Sequence, residues 1–274
     1  MTTPSKPGTA LVTGASSGIG ATYADRLARR GYDLILVARD TDRLQALAGR
    51  LSRENGVNAE VLRADLTQRA DVLAVEKRLR EDGSIRLFVN NAGIGPQGPL
   101  LKSDPDYLDR MVDLNVTAAN RLAVAAAQTF AARGEGAIIN TASVVALWPQ
   151  AFSGTYTASK AFVLILTEAL AAELAGTGVR IQAVLPGLTR TEIFDRVGGS
   201  FDNMDPNMVM DATDLVDAAL AGFDQGEVIT IPSLSDTSLY DALEKARGEL
   251  RPHLSLSRPA ARYGVGAVAP AGTV

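Results

Sequence analysis

Short apolar runs alternate with longer amphipathic stretches along most of the chain. Several apolar runs have no polar side, which is typical of parallel strands that are covered on both faces. We predict strands at Thr9–Thr13, Asp33–Ala38, Ala59–Ala64, Leu87–Asn90, Ala137–Ala142, Arg180–Leu185 and Val228–Ile231. We predict helices at Gly18–Arg30, Thr41–Asn55, Gln68–Glu81, Pro105–Arg133, Thr155–Ala175, Thr213–Asp224 and Thr237–Arg251. The alternation indicates an α/β fold, a doubly wound parallel seven-stranded sheet with helices on both faces.

The pattern shows one domain with two irregular regions. Residues 1–251 are predicted to form this single domain, because no shift in composition and no repeat divides them. Residues 187–211 are long for a connection between a strand and a helix and contain Met204, Met208 and Met210. We predict a lid there, mobile until ligands bind. Residues 252–274, rich in Pro, Ala and Gly, are predicted to be an extended or disordered tail.

Composition narrows the classes of function. Thirty-one acidic and 27 basic residues give a net charge of −4, which argues against a nucleic-acid partner. The absence of cysteine excludes disulfides, thiolate metal sites and cysteine nucleophiles, and the single His253 excludes a histidine-rich site, so we predict no metal. The first residues are not apolar enough for a signal peptide, and Glu168 interrupts the longest apolar helix. We therefore expect a cytoplasmic protein with no membrane partner.

A glycine-rich turn, Thr13–Gly20, joins the first predicted strand to the first helix. Its glycines let the backbone approach a phosphate, and the helix N-terminus adds free N–H groups and partial positive charge. The same residues match a hydrolase pattern, Gly14-x-Ser16-x-Gly18, in which Ser16 would be the nucleophile. That mechanism needs a histidine base, and His253 lies in the predicted tail. The context therefore favours a nucleotide site, with an ordinary glycine-rich turn as the simpler alternative.

The end of the second predicted strand indicates which dinucleotide fits. A site for NAD has an acidic residue at this strand end, whereas an arginine accommodates the 2′-phosphate of NADP. Here Ala38 ends the strand and Arg39 follows, which favours NADP. We interpret Asp40 as a helix N-cap. Arg39 and Arg43 would equally suit solvated positions.

Tyr156 and Lys160 lie four residues apart, on one face of a predicted helix. A free tyrosine has a pKa of about 10, and a neighbouring ammonium lowers it towards the pH at which a general base works. Ser143 ends the fifth strand and opens onto the same sheet edge. Asn115 is a mid-helix asparagine, an unfavourable position that requires a local partner or solvent. A Tyr/Lys pair alone also fits an ordinary surface.

Together these motifs resemble the short-chain dehydrogenase/reductase family, from Thr9 to about Ile231. The resemblance rests on Thr13–Gly20, Asp65-Leu66, Asn90-Asn91-Ala92-Gly93, Asn115, Ser143, Tyr156-x-x-x-Lys160, and Pro186-Gly187 followed by Thr191. It implies a Rossmann-type sheet in which Tyr156 exchanges a proton with the substrate oxygen. Lys160 would lower the pKa of Tyr156 and hold the nicotinamide ribose. Ser143 would orient the substrate oxygen, and Asn115 would anchor a water in a proton relay.

The resemblance also implies a dinucleotide cofactor, with NADP favoured over NAD. The implied activity is that of an NADP(H)-dependent oxidoreductase, which interconverts a carbonyl and a secondary alcohol by hydride transfer. The cofactor-lining residues would be Gly14, Ser16, Ser17, Ile19, Arg39, Asp65, Leu66, Asn91, Gly93, Tyr156, Lys160, Pro186 and Thr191. The alternative is a nucleotide-binding regulatory protein with the same fold and no turnover, which has no reason to retain all four catalytic residues. Family members pair through the helices predicted at Pro105–Arg133 and Thr155–Ala175, so we expect a homo-oligomer. The helix and tail after the last strand depart from the family pattern.

Apolar residues are predicted to border the substrate pocket: Val145, Leu147, Trp148, Phe152, Ile193, Phe194 and the segment Met204–Met210. They favour an apolar and fairly bulky carbonyl compound as the small-molecule partner. The same side chains fit ordinary packing beneath a lid equally well.

Overall fold

A seven-stranded parallel sheet lies at the centre of the part of the chain that the computed structural model describes, residues 7–151, 154–192 and 204–265. The strands are Thr9–Thr13 (β1), Asp33–Ala38 (β2), Ala59–Arg63 (β3), Ile85–Asn90 (β4), Gly136–Thr141 (β5), Val179–Val184 (β6), Leu188–Arg190 (β7), Val209–Asp211 (β8) and Ile229–Thr230 (β9). The order across the large sheet is β3-β2-β1-β4-β5-β6-β9, and every neighbouring pair is parallel. The predicted doubly wound sheet is confirmed, with its change of direction between β1 and β4.

The helices agree with the predicted ones to within two residues, except in the region between Pro105 and Arg133. They are Gly18–Arg29 (α1), Thr41–Asn55 (α2), Arg69–Glu81 (α3), Pro105–Val112 (α4), Ala119–Arg133 (α5), Gly154–Glu173 (α6), Ala212–Gln225 (α7) and Ser238–Leu250 (α8). Local signals explain the boundaries of α2. The side chain of Asp40 accepts a hydrogen bond from the Arg43 N–H, as predicted for an N-cap, and Gly56 ends the helix with a φ of 68°.

Alternate residues of the central strands pack on opposite faces of the sheet. Ala10 and Val12 of β1 pack with Leu34 of β2 and with α1, α2 and α7. Leu11 packs on the other face with Ile35 and with α3, α5 and α6. Because both faces are covered, the interiors of β1 and β2 are apolar on both sides, which is the pattern that several runs of the sequence show. The core therefore fixes the strand ends at which the site residues lie.

The helix predicted at Pro105–Arg133 is not continuous. A π-helical segment, Asp113–Ala118, separates α4 from α5. One extra residue in a turn shifts the helical phase by about 100°, so the two helices present different faces to the core. Asn115 lies in this segment and is buried, which corrects the expectation of an ordinary mid-helix position. Its polar side chain reaches backbone partners there, as described below.

The two ends of the predicted lid, residues 187–211, lie side by side. Strands β7 and β8 pair in parallel as a separate two-stranded sheet, and Arg190 binds Asp211 at 3.1 Å. Met210 packs against the core, whereas Met208 is exposed. Residues 193–203, which include Ile193, Phe194 and the Gly198-Gly199 pair, lie outside the described residues, and so does Phe152. The mobility of the lid stays a prediction.

The chain divides into two compact units, Met1–Ser233 and Leu234–Val274. The described residues of the second unit form α8 and two short 3-10 turns, Arg251–His253 and Ala261–Tyr263, and none of them is buried. These turns lie in the segment predicted to be an extended or disordered tail, of which residues 266–274 fall outside the description. Over the described ranges, the helices lack the combination of length and apolar character that crossing a bilayer requires.

Candidate active site

Three glycines shape the turn between β1 and α1. Gly14 and Gly18 have φ angles of 68° and 55°, which residues with a Cβ rarely adopt. A Cβ on Gly20 would lie 2.7 Å from the amide nitrogen of Asn91, so this position also requires glycine. The first turn of α1 contains no acidic residue, and a helix N-terminus presents unpaired N–H groups and partial positive charge. The turn therefore fits the pyrophosphate of a dinucleotide.

Asn91 and Thr13 join the ends of β1 and β4 beside this turn. The Thr13 hydroxyl accepts hydrogen bonds from the N–H groups of Asn91 at 2.9 Å and Ala92 at 3.1 Å. The Asn91 side-chain amide donates to the Thr13 carbonyl at 3.0 Å. Asn91, which the family resemblance places at the cofactor, thus fixes the floor of the turn. Thr13 was predicted to belong to the turn but was assigned no role; the available signal was a hydroxyl residue at the end of an apolar strand, directly before the glycines.

Charged residues surround the end of β2. Arg39 is exposed, and it has no hydrogen-bond or ion-pair partner among the residues that the structure describes. Arg43, one turn further along, donates to Glu192 at 2.6 Å and also lies 3.3 Å from Asp40. Arg39 is therefore the cation available to a ligand at this strand end, while Arg43 is held by two carboxylates.

Asp65 organises the turn after β3. Its carboxylate accepts hydrogen bonds from the Thr67 N–H at 3.1 Å and from the Thr67 hydroxyl at 2.8 Å. Its own N–H donates to Asp71 at 2.7 Å, and the adjacent Leu66 is buried. The structure thus gives Asp65 a role in shaping the turn, and its contact with the cofactor stays a prediction.

Asn115 fixes the turn that follows β4. Its side-chain oxygen accepts from the Ile94 N–H, and its amide donates to the Ile94 carbonyl, both at 2.9 Å. The amide also lies 3.3 Å from the Ser159 hydroxyl. A Cβ on Gly93 would lie 3.1 Å from the Asn115 oxygen and 3.6 Å from the Lys160 amine. The π-helical segment, this turn and α6 therefore meet around Gly93.

Ser143, Tyr156 and Lys160 meet where the ends of β5 and the start of α6 come together. The Ser143 hydroxyl lies near enough to the Tyr156 hydroxyl to act on its pKa. Ser143 is buried and donates to the Pro186 carbonyl at 3.2 Å. The Lys160 amine donates to the Thr141 carbonyl at 2.9 Å and lies 5.9 Å from the centroid of the Tyr156 ring. The helical spacing read from the sequence therefore places two hydroxyl groups and a buried amine in one small region.

The pKa values of Tyr156 and Lys160 differ from those expected from the sequence. Burial raises the pKa of Tyr156 to about 12, and the nearby Ser143 hydroxyl only partly opposes this effect. Burial also lowers the pKa of Lys160 to about 8. The Tyr156 pKa therefore lies above its usual value, where a value below it was predicted, and stabilisation of the Tyr156 anion by Lys160 stays a prediction. The physical reason is that desolvation outweighs the attraction, because the amine is directed at the Thr141 carbonyl and is itself poorly solvated. Tyr156 carries its proton at neutral pH.

Exposed apolar side chains follow Ser143 in the chain and also lie in the connection after β4. Trp148, five residues after Ser143, is 66% exposed, whereas Val145 is buried. Leu101 is fully exposed, and its neighbour Leu100 approaches the start of α6, where a Cβ on Gly154 would lie 3.0 Å from it. Neither leucine was predicted; the available signal was an apolar pair in the polar connection after β4.

The remaining predicted cofactor residues lie along the same edge of the sheet. Ser16, Ser17 and Ile19 belong to the glycine turn and the start of α1, Pro186 follows β6, and Thr191 follows β7. Thr191 is close to the glycine turn, since a Cβ on Gly18 would lie 3.2 Å from its side chain. The structure therefore brings residues from the ends of β1, β2, β4, β5 and β6 to one edge, where open α/β sheets bind their ligands.

Known proteins match this chain over most of its length. The family model described as short chain dehydrogenase matches residues 8–199. A short-chain dehydrogenase from Sphingobium yanoikuyae, solved in complex with NADPH, is 50% identical, with a TM-score of 0.90 over 93% of this chain and 100% of that chain. A bulky-bulky ketone specific alcohol dehydrogenase from Comamonas testosteroni is 47% identical, with a TM-score of 0.87 over 94% and 99%.

A more distant relative carries a different substrate in its name. Sulfoacetaldehyde reductase 2 from Chromohalobacter salexigens is 39% identical over 194 residues, which are 69% of this chain and 76% of the relative. The matched residues 8–199 include the glycine turn, Asn115, Ser143, Tyr156 and Lys160. The sheet order, the residues at its edge and the matching proteins agree: this chain belongs to the short-chain dehydrogenase/reductase family of oxidoreductases.

Proposed function

We propose that the protein interconverts a carbonyl group and a secondary alcohol by hydride transfer, with NADP(H) as the cofactor and Tyr156 as the general acid/base. The supporting observation is that Tyr156 lies beside the buried Ser143 and Lys160, at the sheet edge that also carries the glycine turn. Two adjacent hydroxyl groups hold one carbonyl oxygen, and one of them passes it a proton.

The proposed mechanism assigns each step to a side chain. The dinucleotide, when bound, supplies or accepts the hydride. The hydroxyl groups of Ser143 and Tyr156 donate to the substrate oxygen and polarise the carbonyl. Because burial keeps the Tyr156 pKa at about 12, the residue is protonated and acts as the acid in reduction. Lys160, whose pKa is about 8, remains mostly charged at neutral pH and stabilises the phenolate that forms.

We propose that Asn115 acts by holding these groups in position. Its amide lies 3.3 Å from the Ser159 hydroxyl, which donates to the Tyr156 carbonyl at 2.7 Å. Both of its polar atoms also bind Ile94. The water relay that the family resemblance implies would then start at the turn that Asn115 fixes.

The choice of NADP(H) is supported by the end of β2 and by one relative. Ala38 offers no carboxylate to an adenine ribose, and Arg39 is an exposed cation without a partner among the described residues. Charge-assisted hydrogen bonds contribute about 1.5–3 kcal/mol, which is roughly 10- to 150-fold, and exposure to water favours the low end. The Sphingobium yanoikuyae relative was solved with NADPH.

We propose a bulky, apolar ketone as the substrate. Exposed Trp148 and Leu101 supply apolar surface to a substrate, and the Comamonas testosteroni relative is named for bulky-bulky ketones. The competing class is a small anionic aldehyde, such as the sulfoacetaldehyde of the Chromohalobacter relative. Exposed Trp148 and Leu101 favour the ketone over such a substrate, so we expect weaker turnover of it.

The test is a panel of aryl alkyl ketones, acetone and sulfoacetaldehyde with NADPH, followed by the absorbance of the reduced cofactor. Tyr156→Phe removes the ionisable hydroxyl and keeps the ring, so turnover of the best ketone should fall by roughly 10²-fold or more while NADPH binding survives. Tyr263→Phe, at an exposed tyrosine of the second unit, is the matched control. Near-normal turnover of Tyr156→Phe would refute the assignment. NADPH binding with no turnover of any compound would instead favour the regulatory alternative.

A further inference from the structure

An ion pair connects the start of α2 to the residues that follow β7. The Arg43 guanidinium donates to the Glu192 carboxylate at 2.6 Å, and both side chains are 46% exposed. The two residues are 149 positions apart in the chain, so the contact is tertiary. The same guanidinium lies 3.3 Å from Asp40, the N-cap of α2. Arg43 therefore has two carboxylate partners, whereas Arg39, four residues earlier, has none in the described part of the chain.

The position of Glu192 places the Arg43–Glu192 ion pair beside the glycine turn. Glu192 follows Thr191, whose side chain would be 3.2 Å from a Cβ on Gly18. The two residues thus extend from the glycine turn to the start of α2. Among the charged residues here, Arg39 and Arg43 are positive and Asp40 and Glu192 are negative, so the charges of these four offset one another. A site that must accept a phosphate would gain from a positive balance.

We propose that Glu192 is a specificity-determining residue for the cofactor, because it withholds Arg43 from the 2′-phosphate. This inference rests on the proposed use of NADP(H). The phosphate of NADPH must compete with the carboxylates for Arg43, so Arg39 alone provides most of the preference for NADPH. NADH has no 2′-phosphate, so this competition does not affect its binding. Removal of the Glu192 charge should therefore strengthen binding of NADPH and leave binding of NADH unchanged.

The same ion pair would have a different consequence if its role were mechanical. A contact that only fastens the segment after β7 over the cofactor would hold NADPH and NADH alike. Its loss would then weaken both cofactors by the same factor. The ratio of the two dissociation constants therefore separates an electrostatic role from a fastening role, and a change in overall stability does not alter that ratio.

The experiment measures dissociation constants of NADPH and NADH by fluorescence for the wild type, Glu192→Gln, Arg43→Gln and the double variant. Glu192→Gln should tighten NADPH binding roughly threefold to tenfold and change NADH binding less than about twofold. Arg43→Gln should weaken NADPH binding, because Glu192 then faces the phosphate without its partner. The double variant restores the local charge balance and should return the NADPH/NADH ratio to about the wild-type value. Added salt should reduce the preference for NADPH over NADH more steeply in Glu192→Gln than in the wild type.

Glu54→Gln provides a matched control, since Glu54 pairs with Arg50 on the same helix at 2.8 Å and is similarly exposed. It should leave the ratio unchanged. A wild type that binds both cofactors equally would overturn the proposed use of NADP(H), whatever the variants do. A wild type that prefers NADPH, with an unchanged ratio in Glu192→Gln, would overturn only this inference. Equal weakening of both cofactors by Glu192→Gln would also overturn it, in favour of a fastening role.

Discussion

Lys160 is a buried amine, and its burial makes a prediction about stability as a function of pH. The residue is 7% exposed, and burial lowers its pKa from 10.5 to about 8. Between these two values the unfolded chain binds more protons than the folded chain, so stability should rise with pH. Below pH 8 the amine is charged in both states, and its desolvation destabilises the fold by about 3 kcal/mol. The perturbation is Lys160→Met, which retains an unbranched chain and removes the charge.

The variant should lose this pH dependence. From the two pKa values, the wild type should gain about 2 kcal/mol between about pH 7.5 and about pH 10, a gain that Lys160→Met lacks. The variant also leaves the Thr141 carbonyl without its 2.9 Å hydrogen bond, which costs about 1–3 kcal/mol at every pH. Stability measured at one pH therefore does not separate the two effects, whereas the difference between the proteins across pH does.

The assay is urea unfolding of both proteins at several values between about pH 7.5 and about pH 10. Above this window the raised pKa of Tyr156 makes the folded state bind extra protons, so stability should fall in both proteins. Lys77→Met, at an exposed lysine paired only loosely with Glu81 at 3.9 Å, is the control and should follow the wild type. If the curves of the wild type and Lys160→Met are parallel, the amine is not desolvated in the folded protein and the reasoning is refuted.

Three further results are expected at other sites. Gly20→Ala would place a Cβ 2.7 Å from the Asn91 amide, so it should lower the free energy of unfolding by about 1–3 kcal/mol and weaken NADPH binding. The control is Gly83→Ala, where the added Cβ meets open space and should change neither quantity. Equal urea midpoints for the two variants would contradict this. Ala38→Asp/Arg39→Ala should abolish or reverse a preference for NADPH over NADH, measured by binding of both. Ile165 on α6 is 48% exposed, and Ile165→Glu should shift the predicted homo-oligomer to a smaller species in sedimentation. Leu239→Glu on α8 should leave the sedimenting species unchanged. An unchanged mass for Ile165→Glu would exclude this face of α6 from the assembly.

The elements that depend on local signals were predictable. Apolar runs of strand length placed the ends of the seven strands in the large sheet to within two residues, whereas β7 and β8 were not predicted. The glycine turn was predictable because closely spaced glycines are typical of a backbone that must turn tightly or approach a ligand closely. Tyr156 and Lys160 were predictable as a pair because residues four apart lie on one face of a helix. Each of these inferences needs only residues that are close together in the chain.

The features that were missed depend on contacts between distant segments. The π-helical segment at Asn115 has no local signature, because its partner Ile94 lies 21 residues away. The role of Thr13 depends on Asn91, which is 78 positions further along. The pKa of Tyr156 was predicted in the wrong direction, because a sequence gives the neighbours of a group and does not give its solvent exposure.

The distribution of buried and exposed groups separates reaction from specificity in this protein. Ser143 and Lys160 are buried on rigid elements, so their geometry is set by the core that the whole family shares. Trp148, Leu101, Arg39 and Glu192 are exposed on connections, where a substitution costs the fold little. The residues at the sheet edge are therefore constrained by folding, whereas those proposed to select the substrate and the dinucleotide are less so. This is why residues at the strand ends supported the reaction class from sequence alone, and why the substrate and cofactor preference must be tested at the exposed rim.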